Sequence, residues 1–269
     1  MALEVVRADS VLDAVAILAG NEGARFIGGG TLAVRQANSG DAPTAILVLS
    51  DGLGLDRIVL DGRRAEIGAA VTMAGIAAHP KLAFLAPVAR EIGGPAVRAM
   101  ATIGGNLFAP YPYGDFTVAL LALGAEISVE GGNGPETIEL SKFLSRRADR
   151  TSRIVRSVAF DLPAEGTFRF VKAMRRRPHG ASVLSIAASL PIESGVVKGA
   201  RVAYGAMAPT PIRARVVERV LEGKKLDPDT IQRAAAVAAE GCAPLTDPFA
   251  SAWYRLNVLP VHLKRLLQC

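Results

Sequence analysis

Arg25-Phe26-Ile27-Gly28-Gly29-Gly30-Thr31 reads as a short strand that runs straight into three glycines. Leu32 to Asn38 continues with helical spacing and Ala45 to Leu49 is an apolar run of strand length, so the stretch is a strand, glycine loop, helix, strand unit. Three glycines let backbone N–H groups approach a phosphate without side-chain clash, and a following helix N-terminus adds partial positive charge. Gly28-x-Gly30-x-x-Ala33 also satisfies the dinucleotide fingerprint in form, with Asp51 roughly 20 residues on, where a ribose-binding acid belongs. That match is weak. Phe26-Ile27 is the only apolar part of the strand, and no second parallel unit with adequate strand length follows; a tight turn without a ligand is the competing reading.

On the amino-terminal side, Ser10 precedes a helical pattern from Val11 to Leu18 that stops at Gly20. On the other side, Arg57 to Leu60 and Ala65 to Ala69 flank Asp61-Gly62, a hairpin signal. Thr72 caps a short helix, and Leu82 to Ile92 forms a second. Gly93 to Gly114 reads as mostly loop, and long ordered loops in compact domains usually carry function. Phe116 to Leu123 is an apolar helix and Ala125 to Glu130 a strand closed by Gly131-Gly132-Asn133-Gly134. The pattern then changes: Ile154–Leu162, Thr167–Ala173, Ser182–Pro191 and Val196–Tyr204 are β-rich, and the chain after Pro211 is helical. Strands followed by helices imply an α+β module, with its boundary near Pro163 to Gly166.

Inside the long segment lies a second glycine site, Thr102-Ile103-Gly104-Gly105-Asn106, ahead of Asp115. Two backbone-rich loops suit two parts of one long ligand. A dinucleotide with a central pyrophosphate would use both, with Thr31, Thr102 and Asn106 as short hydrogen-bonding groups and Asp115 accepting from hydroxyls.

Composition narrows the chemistry. The chain has 269 residues, half of them apolar, which allows one large domain or two small ones. Its longest apolar stretch, Phe116 to Ala125, is about half of what a membrane helix needs, and Met1-Ala2-Leu3-Glu4 lacks a basic, apolar leader, so a cytoplasmic protein without a membrane span is expected. Cys242 and Cys269 cannot supply the four thiolates of an iron–sulfur cluster, and His79, His179 and His262 lack zinc-ligand spacing. No catalytic side chain and no metal site is expected. The net charge of +6 sits in the second half: eleven basic residues between Lys142 and Arg177 face only Asp149, Asp161 and Glu165. That segment suits an anionic partner or a solvated face; a nucleic-acid surface would need exposed aromatics interleaved with the charge, and none is expected.

Taken together, Gly28-Gly29-Gly30-Thr31, then Val97-Arg98 ahead of Thr102-Ile103-Gly104-Gly105-Asn106, then Gly114-Asp115 and Leu120 to Ala125, resemble the FAD-binding subunit of the molybdenum hydroxylases. That family includes the medium subunits of carbon monoxide dehydrogenases and the flavin domain of xanthine dehydrogenases. Gly205 with Pro209 to Arg213, and Asp247 through Tyr254-Arg255, resemble its carboxy-terminal module, so the likeness covers nearly the whole chain. The resemblance implies an α+β fold: a two-lobed PCMH-type FAD-binding domain over residues 1–163, with lobes near 1–55 and 56–163, then a smaller α+β domain over 164–269.

It further implies FAD held in an extended form between the two lobes, with the carboxy-terminal module helping to close the site. Gly28, Gly29, Gly30 and Thr31, flanked by Ile27 and Leu32, match the family's first pyrophosphate loop; Thr102, Ile103, Gly104, Gly105 and Asn106 match its second. Asp115 and Lys172 fall at flavin-contacting positions, and Ile92 where an apolar residue packs on the cofactor. Leu32 stands where many members carry Asp, Ser or Glu. Gly105→Val is expected to abolish FAD retention, by filling the cofactor's space and by being unable to adopt a positive φ.

By the same resemblance, substrate is hydroxylated at a molybdenum cofactor in a large subunit, and electrons pass through two [2Fe–2S] centres of a small subunit to FAD. FAD then reduces an external acceptor such as NAD, a quinone or oxygen, in a dimer of heterotrimers. The competing reading is a non-redox assembly or binding protein that keeps the fold without the cofactor.

Overall fold

The computed structural model describes residues 3–39, 46–146 and 153–269. Ala45 of the expected strand and Arg147 to Ser152 of the basic segment lie outside the described residues. Along the chain come β1 (Glu4–Arg7), α1 (Val11–Gly20), β2 (Arg25–Ile27), α2 (Ala33–Ser39) and β3 (Ile46–Leu49). Next are β4 (Ile58–Asp61), β5 (Arg64–Gly68), α3 (Met73–Ala78), a 3-10 turn over Pro80–Leu85, α4 (Ala86–Arg90), α5 (Pro95–Met100), α6 (Ile103–Leu107) and α7 (Asp115–Ala122). There follow β6 (Glu126–Gly131), β7 (Gly134–Glu139), α8 (Leu140–Ser145), β8 (Ile154–Asp161), β9 (Phe168–Met174) and β10 (Ser182–Ser189). The chain closes with β11 (Ile192–Glu193), β12 (Val196–Val197), β13 (Arg201–Gly205), β14 (Ile212–Arg213), α9 (Arg215–Leu221), α10 (Pro228–Ala236) and α11 (Ala252–Gln268).

Two compact units result, one from residues up to Ala109 together with Ala125–Phe160, the other from Pro110–Gly124 together with Asp161–Cys269. The first unit holds two sheets. β1, β3 and β2 form a parallel three-stranded sheet in which Phe26 lies opposite Val48, so the strand, glycine loop, helix, strand unit is present. Ser10 starts α1 by accepting from the Asp13 amide at 3.0 Å, as its side chain and position require. The other sheet runs β4-β5-β8-β6-β7; its first hairpin turns at Gly62, whose φ of +55° lies in the left-handed region that glycine tolerates. Ile67, Ile76, Leu85, Ile103, Ile127 and Phe160 are fully buried in this unit.

Two expectations are corrected here. Leu82 to Ile92 is not one helix, because Pro87 removes a backbone donor inside it; a 3-10 turn ends at Leu85 and α4 starts afresh with Pro87 in its first turn. Gly93 to Gly114 is not one loop. Pro95 opens α5 and Thr102 caps α6, so two short helices interrupt the segment. Arg98, from the motif quoted above, donates to the carbonyls of Arg90 and Gly93 and so closes the turn before α5.

The second unit is an antiparallel sheet, β14-β13-β10-β9. β10 is buried throughout because both of its faces are covered: α7 packs on one, and α9, α10 and α11 enclose a core of Leu184, Ile186, Tyr204, Leu259 and Leu263 on the other. α7 is apolar apart from Asp115 and Thr117, and all eight of its residues are buried. A Cβ on Gly205 would fall 2.7 Å from Val118, so glycine here allows α7 to lie close against β13. The expected run Val196–Tyr204 is broken by Gly199 at φ +69° into β12 and β13.

Arg255 ties this unit together. Its guanidinium is fully buried and donates to the carbonyls of Ser182 and Val183 and to Asp247 Oδ2 at 2.6 Å, and it lies over the Tyr111 ring. Asp247 in turn accepts from the amides of Phe249 and Ala250, which fixes the irregular stretch ahead of α11.

Candidate functional site

The first glycine loop leaves β2 at Ile27, which is buried, and enters α2 at Ala33. Gly30 has φ +67°. A Cβ on Gly28 would fall 2.5 Å from Thr102 Oγ1, and one on Gly29 only 1.6 Å from the carbonyl oxygen of Met100. The loop is therefore pressed onto the stretch that leads into α6: Gly29 is required by the Met100 backbone and Gly28 by the Thr102 side chain, apart from any ligand. Among the described residues, the amides of Gly28, Gly29, Gly30, Thr31 and Leu32 find no acceptor. Five consecutive donors on a partly buried loop are suited to an anion.

The second glycine site is different. Ile103 N–H donates to Val71 O at 3.0 Å, Gly104 N–H to Ala69 O at 2.8 Å, Asn106 N–H to Thr102 O at 3.0 Å, and Gly105 N–H to the Thr102 hydroxyl at 3.1 Å. Its amides are already used. Thr102 is the N-cap of α6 and pairs across to Thr72, the N-cap of α3, so the run is a buttress under the first loop. Ile103 is fully buried, whereas Gly105 is exposed in a helix and does not have a positive φ. Contrary to expectation, Gly105→Val meets no positive φ here and would act only through the space that its side chain fills. Ile92 is partly buried in the turn after α4, and the side chain of Leu32 is likewise partly buried.

In the second unit, Asp115 opens α7 and is 3% exposed. Lys172 Nζ lies 2.9 Å from its Oδ2, and Ser182 Oγ donates to its Oδ1 at 2.6 Å. The two charged side chains are 5% and 4% exposed, so each neutralises the other in a dry setting. Lys172 is thus a buried, paired cation on the edge strand β9. Ser182 was invisible to sequence reasoning: it sits in an apolar β run with no motif around it, and its only signal is a hydroxyl at an inward position.

The charge excess between Lys142 and Arg177 is partly consumed within the protein. Arg153 pairs with Glu136, Arg156 with Glu130 and Lys172 with Asp115, while Arg169 donates to the carbonyls of Leu266 and Leu267. Asp51 pairs with Arg7 in a well-exposed contact at 3.3 Å. Burial pushes the Cys242 thiol up to about 11, which keeps it a neutral, apolar-packed group.

Comparison with known proteins decides the family. Residues 1–163 match the FAD binding domain in molybdopterin dehydrogenase, and residues 169–269 match the CO dehydrogenase flavoprotein C-terminal domain. The chain belongs to this flavoprotein family. The flavoprotein is 27% identical to the glyceraldehyde dehydrogenase medium chain of Sulfolobus acidocaldarius, over 95% of this chain and 94% of that protein. It is 26% identical to the carbon monoxide dehydrogenase medium chain of Afipia carboxidovorans, over 97% and 94%. Among solved structures, reconstituted CO dehydrogenase from Oligotropha carboxidovorans matches with a TM-score of 0.92 and 27% identity, covering 100% of this chain and 97% of that one. The flavoprotein is accordingly an FAD-binding subunit of the molybdenum hydroxylase family, an oxidoreductase subunit of the expected α+β fold. Among its described residues no helix is long and apolar enough to cross a membrane.

Proposed function

We propose that this chain carries FAD as the electron-transfer subunit of a cytoplasmic molybdenum hydroxylase, with residues 1–163 as the FAD-binding domain and 164–269 as the carboxy-terminal module. The observation that carries the reading is the row of five unpartnered amides from Gly28 to Leu32, in a chain of an FAD-binding family. These donors suit the pyrophosphate, and they make the side chain at Leu32 dispensable for that contact. Thr102 to Asn106 holds the loop in shape and leaves Gly105 exposed, while Ile27 backs the loop from the core and Ile92 supplies partly buried apolar surface. FAD, when bound, supplies one- and two-electron exchange, which none of the side chains described above provides.

Asp115 and Lys172 are proposed as flavin contacts. Because Lys172 is already paired, it presents an oriented dipole and not a bare charge, and Ser182 fixes that orientation by holding the other carboxylate oxygen. The partners are a small subunit with two [2Fe–2S] centres and a large subunit with the molybdenum cofactor, in a dimer of heterotrimers. The last recipient is an external acceptor: NAD, a quinone or oxygen. The test is to strip FAD from the purified complex. The iron–sulfur signal should still develop on reduction of the complex, while turnover with the acceptor should fall to background and return when FAD is restored. Undiminished acceptor turnover in the stripped complex would refute the route.

A further inference from the structure

The carboxy-terminal unit carries a cluster of positive charge that the flavin reading does not use. Arg175, Arg177, His262 and Arg265 rim a groove of about 320 Å³ between the end of β9 and α11, floored in part by Val171 and Val258. No carboxylate lines it. Arg175, Arg177 and Arg265 make no ion pair among the described residues. A tight turn presents the arginines: His179 has φ +64°, and a Cβ on Gly180 would fall 2.4 Å from the Arg176 carbonyl oxygen. Burial, with Arg265 adding to it, holds His262 below the ordinary imidazole range.

Beside the groove, α11 leaves large apolar side chains in water. Trp253, the chain's single tryptophan, is 71% exposed, Val261 48% and Tyr254 46%. Arg255, Leu259, Leu263, Leu266 and Leu267 take the buried side of the helix, so these residues share the outward surface with Val258 and Arg265. Exposed aromatics next to unpaired arginines are the composition of a protein interface. A small anion would touch only the groove and leave Trp253 and Val261 uncovered.

Lys172 reaches Asp115 on the α7 side of the sheet, while Val171 and Ala173, its neighbours on β9, pack on the core shared with α11. Lys172 also lines the groove, but its ammonium is taken up by Asp115, so the cations left for a partner are Arg175, Arg177 and Arg265.

We propose that this face docks an acidic segment of a partner subunit, its carboxylates on Arg175, Arg177 and Arg265 and its apolar side chains against Trp253, Tyr254 and Val258. The proposal rests on the heteromeric reading given above. It is tested with the chain and its co-expressed partner subunits, measuring the dissociation constant of the complex at low salt and at about 0.5 M salt. Arg175→Glu/Arg177→Glu, at exposed positions, should weaken assembly about tenfold or more at low salt and flatten its salt dependence. Trp253→Ser should weaken it at both salt concentrations, and FAD content should stay at the wild-type level in both variants. Unchanged dissociation constants would overturn the proposal, as would a wild-type chain that carries FAD yet joins no partner. So would pyrophosphate or ADP binding by the free chain that the double variant abolishes while assembly is untouched. Absence of FAD from an assembled complex would instead count against the flavin reading, so the two failures are separable.

Discussion

Gly29→Ala destabilises the amino-terminal unit by about 3 kcal/mol and removes FAD retention, the upper end of what overpacking normally costs. The reason is geometric: the new Cβ would sit 1.6 Å from the Met100 carbonyl oxygen, a backbone atom that cannot rotate away. Either the first loop lifts off α5 and α6 or that segment shifts, and both disperse the row of amides. Gly20→Ala is the control, since a Cβ there meets nothing within 4 Å and the position ends a helix; it should leave stability unchanged or raise it by up to about 1 kcal/mol. Urea unfolding and flavin absorbance measure both. Wild-type stability with stoichiometric flavin in Gly29→Ala would show that the loop is not held as described.

Asp115→Leu should cost about 3–5 kcal/mol of unfolding free energy, because it strands the Lys172 ammonium in a site where it is 5% exposed. The effect should be strongly coupled. Asp115→Leu/Lys172→Met removes both charges and should recover most of the loss, giving a coupling of at least ~2 kcal/mol in a double-mutant cycle. Ser182→Ala removes one charge-assisted hydrogen bond and should cost about 1.5–3 kcal/mol. If the double variant is no more stable than Asp115→Leu, the pair is not the dry ion pair seen here.

The chain shows which features a sequence discloses. The parallel unit around Gly28 was legible because its punctuation is local: β2, the glycines and α2 each carry their own signal within a few residues. The turn at Gly62 and the caps at Ser10 and Thr72 were legible for the same reason. The breaks at Pro87 and Gly199 were available but overridden by the apolar runs around them. The use of the glycines was not legible. Whether an amide is free depends on where Val71, Ala69 and Met100 lie, and that is decided by tertiary packing; hence two similar motifs turned out to be one open row of donors and one closed buttress. Likewise nothing local ties Ser182 or Lys172 to Asp115, which are brought together only by the packing of α7 on β10. The family resemblance supplied what local rules could not, since Thr102 to Asn106 together with Asp115 is a long-range pattern.

The central claim is that this chain carries FAD. Its most direct test is the absorption spectrum of the purified chain titrated with FAD, alone and in complex with its partner subunits, with the cofactor identified after heat release. One FAD per chain, lost in Gly29→Ala and retained in Gly20→Ala, is the predicted result. A folded chain that joins its partners and yet carries no FAD, even when the cofactor is added, would contradict the account and leave a non-redox assembly protein in its place.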